Sequence, residues 1–434
     1  MKYIIESLGC AKNLVDSERF AALLRSYGFQ EAEAWEDADL VLVNSCAFLC
    51  SALAELDDTL ANIIAATKKR KPKLVVSGCV TKRGLEEFQD MYPEVNKWVP
   101  LKDFEAFEKY LTRYVLPKGV QKKRPAPGKR VKLDMGQHVY LRIADGCENY
   151  CSYCTIPEIR GKLTSEPIEK LVKEARALQR KGRELVLIAQ DSCMYGTDLY
   201  NEKALPRLIE ALHELPGYDW IRIMYMHPDH FEAEWTELWH KYPKLLPYFE
   251  IPIQHVSDRI IKLMNRKKGY KELKQLFEHI KREVPNAVFR TTLMVAYPTE
   301  TQDELKQIEQ FLDEVDILHA GVFGYSPEKE GTPYNPPDDF DWQGTRQKEA
   351  DLAIKIGIAK EKKMQRYVGT QQQVILEAYD ANMQAFVGRL WFQAPEVDGI
   401  VYVQNLPADS PLVTMVEVVD ALGDELWCMG LDHK

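Results

Sequence analysis

Six of the chain's nine cysteines fall into two groups of three. One group is compact: Cys147, Cys151 and Cys154 lie in the run Asp145-Gly146-Cys147-Glu148-Asn149-Tyr150-Cys151-Ser152-Tyr153-Cys154. The other is dispersed: Cys10, Cys46 and Cys79 each stand just past a short apolar run. A loop with the first spacing can wrap one iron–sulfur cube and present three sulfurs to three irons. The fourth iron is then open, and can hold a substrate or cofactor rather than only pass electrons. A structural zinc site usually has four ligands in paired units, and the nearest fourth candidate here is distant in sequence. Two three-thiolate sites in one chain point to chemistry that needs two reactive clusters. Cys50, Cys193 and Cys428 fit no ligand pattern and read as ordinary buried or semi-exposed thiols.

The elements that must position these groups can be read from the apolar pattern. Residues 3–5, 40–43 and 74–76 are runs of the kind that form buried parallel strands. A helical pattern over 16–27, closed by Gly28, lies between the first two. This predicts an open parallel α/β sheet with Cys10, Cys46 and Cys79 on the rim at the strands' C-terminal ends, where such sheets bind ligands. Three unrelated buried thiols are the plain alternative. Residues 117–133 read as a linker broken by Pro117, Gly119, Pro125, Pro127 and Gly128, made basic by residues that include Lys129 and Arg130. A solvated tether is expected there.

From about 138 to 365 the alternation resumes, with strands predicted over 139–143, 185–188, 221–226, 249–253, 288–295 and 318–323 and a capping box at Thr301-Gln302-Asp303-Glu304. Repeated strand–helix units of this length predict a full or partial barrel. The compact cysteine loop follows its first strand. Gln190, His227, Gln254 and Arg290 are expected at or just beyond strand ends on the same face. After about 366, β-rich runs over 372–378, 385–392, 399–404 and 414–421 predict a small antiparallel barrel. The fold class is therefore α/β multidomain. The expected divisions are 1–116, the linker 117–133, 134–365 and 366–434.

Length and composition fit this reading. A chain of 434 residues, 45% hydrophobic and 28% charged, is ordinary for a soluble protein of two or three domains. The longest charge-free stretch of the N-terminal third lies between Asp39 and Glu55, short of the about 18 apolar residues of a membrane span. With no secretory apolar core at Met1–Glu6, a cytoplasmic location is expected, where cysteines bind metal or react rather than pair. A net charge of −9 argues against a general nucleic-acid coat. Residues 369–434 hold ten acids against two bases, Arg389 and Lys434. A solvated acidic face and a dock for a basic partner both fit that excess.

The Cys147–Cys151–Cys154 spacing resembles the signature of the radical S-adenosylmethionine (SAM) superfamily. The resemblance implies that the open iron holds SAM and that reductive cleavage yields a 5′-deoxyadenosyl radical. Such a radical removes hydrogen from carbon that no side-chain base near neutral pH can deprotonate. It further implies SAM contacts from Tyr153, Gln190, His227, Gln254 and Arg290. Adding Ser7-Leu8-Gly9-Cys10-Ala11-Lys12-Asn13-Leu14-Val15-Asp16-Ser17-Glu18, Asn44-Ser45-Cys46 and Ser77-Gly78-Cys79, the whole chain is similar to the radical SAM methylthiotransferase family, with a C-terminal TRAM barrel. Of two branches, MiaB modifies a transfer-RNA adenosine and RimO an aspartate of small-subunit ribosomal protein twelve. Leu8–Ser17, Tyr225-Met226-His227-Pro228-Asp229-His230 and Ala394-Pro395-Glu396-Val397-Asp398-Gly399 resemble the RimO branch.

That resemblance implies methylthiolation at the β-carbon of an aspartate. It implies two iron–sulfur clusters, one on Cys10, Cys46 and Cys79 and one on Cys147, Cys151 and Cys154. It also implies two SAM molecules per product, one as methyl donor and one as radical source. No acid–base pair is required, and an external reductant such as a flavodoxin is expected. The acidic C-terminal segment agrees with a basic ribosomal protein as partner rather than transfer RNA. A transfer-RNA methylthiotransferase and a non-enzymatic cluster protein remain as alternatives. The sequence departs from the family where a glycine-rich turn is usual: Ala296-Tyr297-Pro298-Thr299 has lost both glycines, which puts close backbone approach there in doubt.

Overall fold

The computed structural model describes residues 1–120, 130–328 and 340–431. The first sheet is parallel, its central strands Lys2–Ser7, Leu40–Ser45 and Lys73–Gly78 lying side by side with Tyr3 opposite Leu40 and Val41 opposite Leu74. Gln30–Glu31 and Lys97–Trp98 form its edges. Leu40 to Val43 are fully buried because helices cover both faces. Helix Ala11–Ser26 packs Phe20 and Leu24 on one side, and helix Cys50–Ala66 packs Leu56, Leu60 and Ile63 on the other. The first helix begins at Ala11 rather than at 16. Cys10 is its extended N-cap, accepting from the backbone N–H groups of Asn13 and Leu14 at 2.8 and 3.2 Å.

The central domain is a partial barrel of six parallel strands in two sheets. His138–Arg142, Glu184–Ile188 and Trp220–Ile223 form one; Tyr248–Glu250, Val288–Val295 and Ile317–Gly324 form the other. A parallel bridge between Ile221 and Leu245 joins them. Alternation sorts the side chains. Leu141, Leu185, Leu187, Ile221, Phe249 and Phe289 pack outward under amphipathic helices such as Ile168–Leu178 and Tyr270–Glu283. The capping box at Thr301 and Glu304 opens helix Gln302–Glu314 as expected.

The C-terminal segment closes into a five-stranded barrel: Gln371–Asp380, Ala385–Leu390, Ile400–Gln404, Val413–Leu422 and Glu425–Gly430. The last of these adds to the four strands expected from the pattern. Its core is continuous with the inner face of the central strands, where Val186, Ile188, Tyr248 and Val288 meet Val374, Leu390 and Phe392. Polar anchors cross the same junction. Glu184 holds Arg222 at 2.6 Å and Arg389 at 2.7 Å, all three fully or nearly fully buried. Arg222 also donates to Trp391 O at 2.9 Å.

Two charge readings need correction. Arg130 belongs to no solvated tether: it is buried, paired with Glu18 and Glu174 and donating to Tyr140 O at 2.7 Å, so it pins the chain between the first helix and the barrel. The rest of the linker's basic run, within 121–129, lies outside the described residues. In the C-terminal barrel Asp398 and Arg389 are interior. The surface nevertheless stays acidic: Arg389 is the one Lys or Arg among residues 369–431, while Glu396, Asp409, Glu417, Asp420, Asp424 and Glu425 are exposed. No helix among the described residues is long and apolar enough to cross a membrane.

Candidate active site

The dispersed cysteines meet at the rim of the first sheet. Gly9, at φ 90°, turns the chain so tightly that a Cβ there would stand 2.6 Å from Cys46 Cβ and 3.2 Å from its Sγ. Asn13, wholly buried, ties the strand ends together: its Nδ2 donates to Leu8 O at 3.0 Å and Ser45 O at 2.9 Å. The Cys79 thiol reaches its Oδ1 at 3.9 Å, and Asn44 Nδ2 donates to Asn13 O at 2.8 Å. A buried network this well satisfied fixes geometry. Cys79 is held below the ordinary thiol range, first by the hydrogen bond from Cys46 and also by Arg160, which outweigh burial. Cys46, keeping the shared proton, is pushed up.

The compact triad occupies the loop after strand Ala144–Asp145. Gly146, at φ 78°, approaches a neighbouring turn so closely that a Cβ would lie 2.1 Å from Lys162 O. Cys147 N donates to Gly161 O at 3.0 Å, Cys154 N to Cys151 O at 2.9 Å, and Asn265 Nδ2 to Tyr150 O at 3.0 Å. Burial pushes the Cys147 thiol up to about 11 and that of Cys154 up to about 12. Among the described residues, the one His/Cys/Asp/Glu trio with ligand atoms all within 4.8 Å of one another is Asp191, His227 and His230. Neither cysteine triad is that tight. Each triad offers three free thiols, the soft donors that hold an iron–sulfur cluster.

Both triads border the junction of sheet and barrel. Arg160, buried on helix Ile156–Arg160, links them: its NH2 lies 2.5 Å from Asn13 Oδ1 and 3.7 Å from Cys79 Sγ, and its NH1 lies 3.1 Å from Asp145 Oδ1. Asp145, two residues before Cys147, also holds Lys102 and accepts from Gln190 Nε2 at 3.0 Å. Burial alone would raise the Asp145 pKa, but Arg160, Arg142 and Lys102 outweigh it and hold the carboxyl well below the usual range. Thr155, directly after Cys154, donates to Phe48 O at 3.4 Å, and Arg83 pairs with Glu328 at 2.5 Å.

Around this junction the expected cofactor-binding residues divide. Gln190 and His227 stand at the site, and each keeps one buried polar atom with no partner among the described residues, Gln190 Oε1 and His227 Nε2. Orphans of that kind suit a bound polar ligand. Burial, aided by Arg266, pushes His227 down to about 3, so it is neutral. Its ring stacks on His230, whose Nδ1 lies 2.6 Å from Asp191 Oδ2; Asn149 shares that oxygen at 2.9 Å. With Asp191 so engaged and His227 Nδ1 accepting from Asp229 N at 3.2 Å, this trio is held by hydrogen bonds rather than shaped for an ion. Tyr153 packs with Ile260, Met264, Tyr297 and Tyr325 beside Cys151. Gln254, at φ 67°, lies beyond strand Tyr248–Glu250 and bridges in parallel to Leu293, its N–H donating to Thr292 O at 2.8 Å.

Arg290 does not stand at a strand end. It is the third residue of Val288–Val295, and its NH1 is held 2.7 Å from Asp398 Oδ1 of the C-terminal barrel. The strand covers the residues expected, so Arg290 lies near its N-terminal end, where it meets that barrel. Sequence reasoning assigned no role to Arg160, Asn13 or Arg266. Arg266 donates to Pro252 O at 2.6 Å beside Cys151, and nothing in the spacing marked these contacts. In the Ala296–Thr299 turn, both residues that replace glycine adopt the left-handed conformation, at φ 56° and 69°. The backbone shape survives without glycine, braced by Glu300 on Ala296 N at 2.9 Å and by Arg259 on Thr299 O at 2.7 Å.

Residues 141–312 match the Radical SAM superfamily, residues 2–100 the Uncharacterized protein family UPF0004, and residues 368–429 the TRAM domain. A radical SAM methyltransferase, TsrM from Kitasatospora setae, shares the fold at TM-score 0.53 and 13% identity, over 75% of this chain and 76% of that one. The folds and the two thiol triads define a radical SAM enzyme. Relatives named ribosomal protein uS12 methylthiotransferase RimO match nearly end to end. That of Thermotoga maritima is 35% identical over 93% of this chain and 94% of its own; that of Aquifex aeolicus is 38% identical over 93% and 91%. The chain belongs to this RimO family of methylthiotransferases, enzymes that work with SAM and an iron–sulfur cluster.

Proposed function

We propose that this enzyme methylthiolates the β-carbon of an aspartate side chain in ribosomal protein uS12. In this reading Cys10, Cys46 and Cys79 hold one iron–sulfur cluster and Cys147, Cys151 and Cys154 a second, each with an open iron. When bound, the clusters and two SAM molecules supply a methylthio group and a carbon-centred radical that removes the β-hydrogen. The chain's own part is positional. The Asn13–Arg160–Asp145 network holds the two triads in one interface, and Gln190, His227, Gln254 and Tyr153 line the place where SAM docks. Arg290, committed to Asp398, is left out of that set. The division into 1–116, 117–133, 134–365 and 366–434 assigns one cluster to each of the first and third segments. The exposed acids of the C-terminal barrel favour a basic protein over transfer RNA. The enzyme acts in the cytoplasm with an external reductant such as a flavodoxin.

The observation that carries this reading is the meeting of both triads at one junction, in a chain whose relatives of that name match from end to end. The test is anaerobic reconstitution with iron and sulfide, followed by reaction with SAM, dithionite, uS12 and transfer RNA. Mass spectrometry should find uS12 with a methylthio group replacing one hydrogen of an aspartate. An adduct on adenosine with none on protein would overturn the substrate assignment.

A further inference from the structure

At the junction of the first sheet and the central barrel, cations are paired almost throughout. Arg19 holds Glu174, Arg142 holds Asp16, Arg160 and Lys102 hold Asp145, and Arg83 holds Glu328. Lys12 is different. It is only 7% exposed, yet its ammonium makes no ion pair and no hydrogen bond among the described residues. Its one close partner is the Tyr225 ring, with Nζ 3.3 Å from the centroid. The acidic groups nearest in its surroundings are Cys10, Glu250 and Asp145. Glu250 is turned to Tyr225 N, and Asp145 is already shared by Lys102, Arg160 and Gln190.

A buried ammonium with only an aromatic face for company is costly. A ring face is a weak substitute for a carboxylate, though it aligns the amine well. Lys12 stands two residues from Cys10 and within electrostatic reach of Asp145, itself two residues before Cys147, so an anion that reached it would sit near both triads. Under the reaction proposed above, the substrate brings such an anion. The aspartate carboxylate is one bond from the β-carbon, and holding it fixes which hydrogen faces the radical.

We propose that Lys12 is the residue that binds the target aspartate's carboxylate and so sets the enzyme's preference for an acidic side chain. This rests on the substrate reading given above. A cation so close to Cys10 also balances thiolate charge, and the test must separate the two roles.

The cluster-loaded, SAM-bound but unreduced enzyme is titrated by fluorescence anisotropy with labelled uS12 carrying either the target aspartate or asparagine there. Wild type should bind the aspartate form the more tightly. Lys12→Met should weaken that form by roughly 10- to 100-fold, the range for a charge-assisted hydrogen bond, and leave the asparagine form nearly unchanged. Lys12→Arg should recover part of the preference. In turnover, Lys12→Met should raise KM for uS12 more than it lowers kcat. Its iron content and low-temperature EPR spectrum should match wild type. Undiminished discrimination in Lys12→Met, while wild type modifies uS12, overturns this inference alone. Loss of iron in Lys12→Met overturns it in favour of a cluster-supporting role. A wild-type enzyme that cleaves SAM yet neither binds nor modifies uS12 overturns the substrate reading, and this inference with it.

Discussion

The two cysteine triads reach similar ends by opposite routes. Cys147, Cys151 and Cys154 come from one loop, positioned by local hydrogen bonds such as Cys154 N to Cys151 O. Cys10, Cys46 and Cys79 come from three strand ends and exist as a site only once the parallel sheet has formed. The electrostatics differ in step. The Cys147 and Cys154 thiols are raised by burial, whereas Cys79 is already lowered by Cys46 and Arg160. A loop-borne site depends on a few neighbours. A sheet-borne site depends on the packing of a whole domain, and its tolerance of change is correspondingly poorer.

The strongest way to break this comparison is to remove one thiol from each triad. Cys151→Ala should bring 5′-deoxyadenosine formation down to background. Cys46→Ala should leave SAM cleavage intact and abolish methylthiolated product. Iron should fall from about eight to about four per chain in either variant, the count for losing one of two cubes. If the two variants behaved alike, the division of labour between the triads would be wrong.

Asp145→Asn attacks the link rather than either end. Removing the charge leaves Arg160 and Lys102 without their acid in a buried setting, a change that typically costs about 3–5 kcal/mol. The pH dependence gives the sign. The folded pKa of Asp145 is depressed, so its contribution is complete above the ordinary aspartate value near 4 and is lost as the pH falls towards the folded value. Thermal melts of the wild type from neutral pH downward should therefore converge on those of Asp145→Asn. Parallel curves would mean that this carboxylate does not bind the two domains together.

How far the sequence showed all this also differs between the triads. The compact thiols could be grouped as a candidate from spacing alone. The dispersed site was legible because each thiol follows a short apolar run, and parallel strands bring such ends to one rim. Charge was read less well. Counting acids and bases put Asp398, Arg389 and Arg130 on the surface, yet all three are interior partners in ion pairs. Composition carries no record of which charges meet. The start of helix Ala11–Ser26 was hidden because Cys10 caps it with its carbonyl and not with a side chain. Strand Glu425–Gly430 follows a turn at Gly423, and its alternation, with Leu426 and Cys428 buried, went unread. Arg160 gave no signal, and Lys12, though part of the Leu8–Ser17 stretch, was given no role, since what singles them out is a pairing pattern among residues far apart in the chain.

Glycine substitutions sharpen the contrast. Gly9→Ala must relieve a 2.6 Å approach to Cys46 Cβ at a positive φ. Left-handed backbone alone costs an L-residue about 1–2 kcal/mol, and the clash adds to it. The expected result is a less stable protein that retains the compact cluster and SAM cleavage but loads about half the iron. Full iron with unchanged melting would show that the sheet rim is more pliant than this packing implies.

The smallest effect expected lies in the turn beside the compact triad, and it runs the other way. Thr299 is β-branched and held at φ 69°, where its side chain crowds the backbone. Thr299→Gly removes that strain and also the bond from Arg259 NH1 to Thr299 Oγ1 at 3.0 Å, which is an exposed contact worth little. Arg259 keeps Thr299 O and Glu304. The backbone already has the shape glycine prefers, so the variant should be more stable by about 1 kcal/mol in denaturant titrations, with kcat and KM unchanged. A loss of stability would mean that Arg259 and Thr299 hold the turn through their side chains, and that the site has replaced glycine's freedom with a bond it depends on.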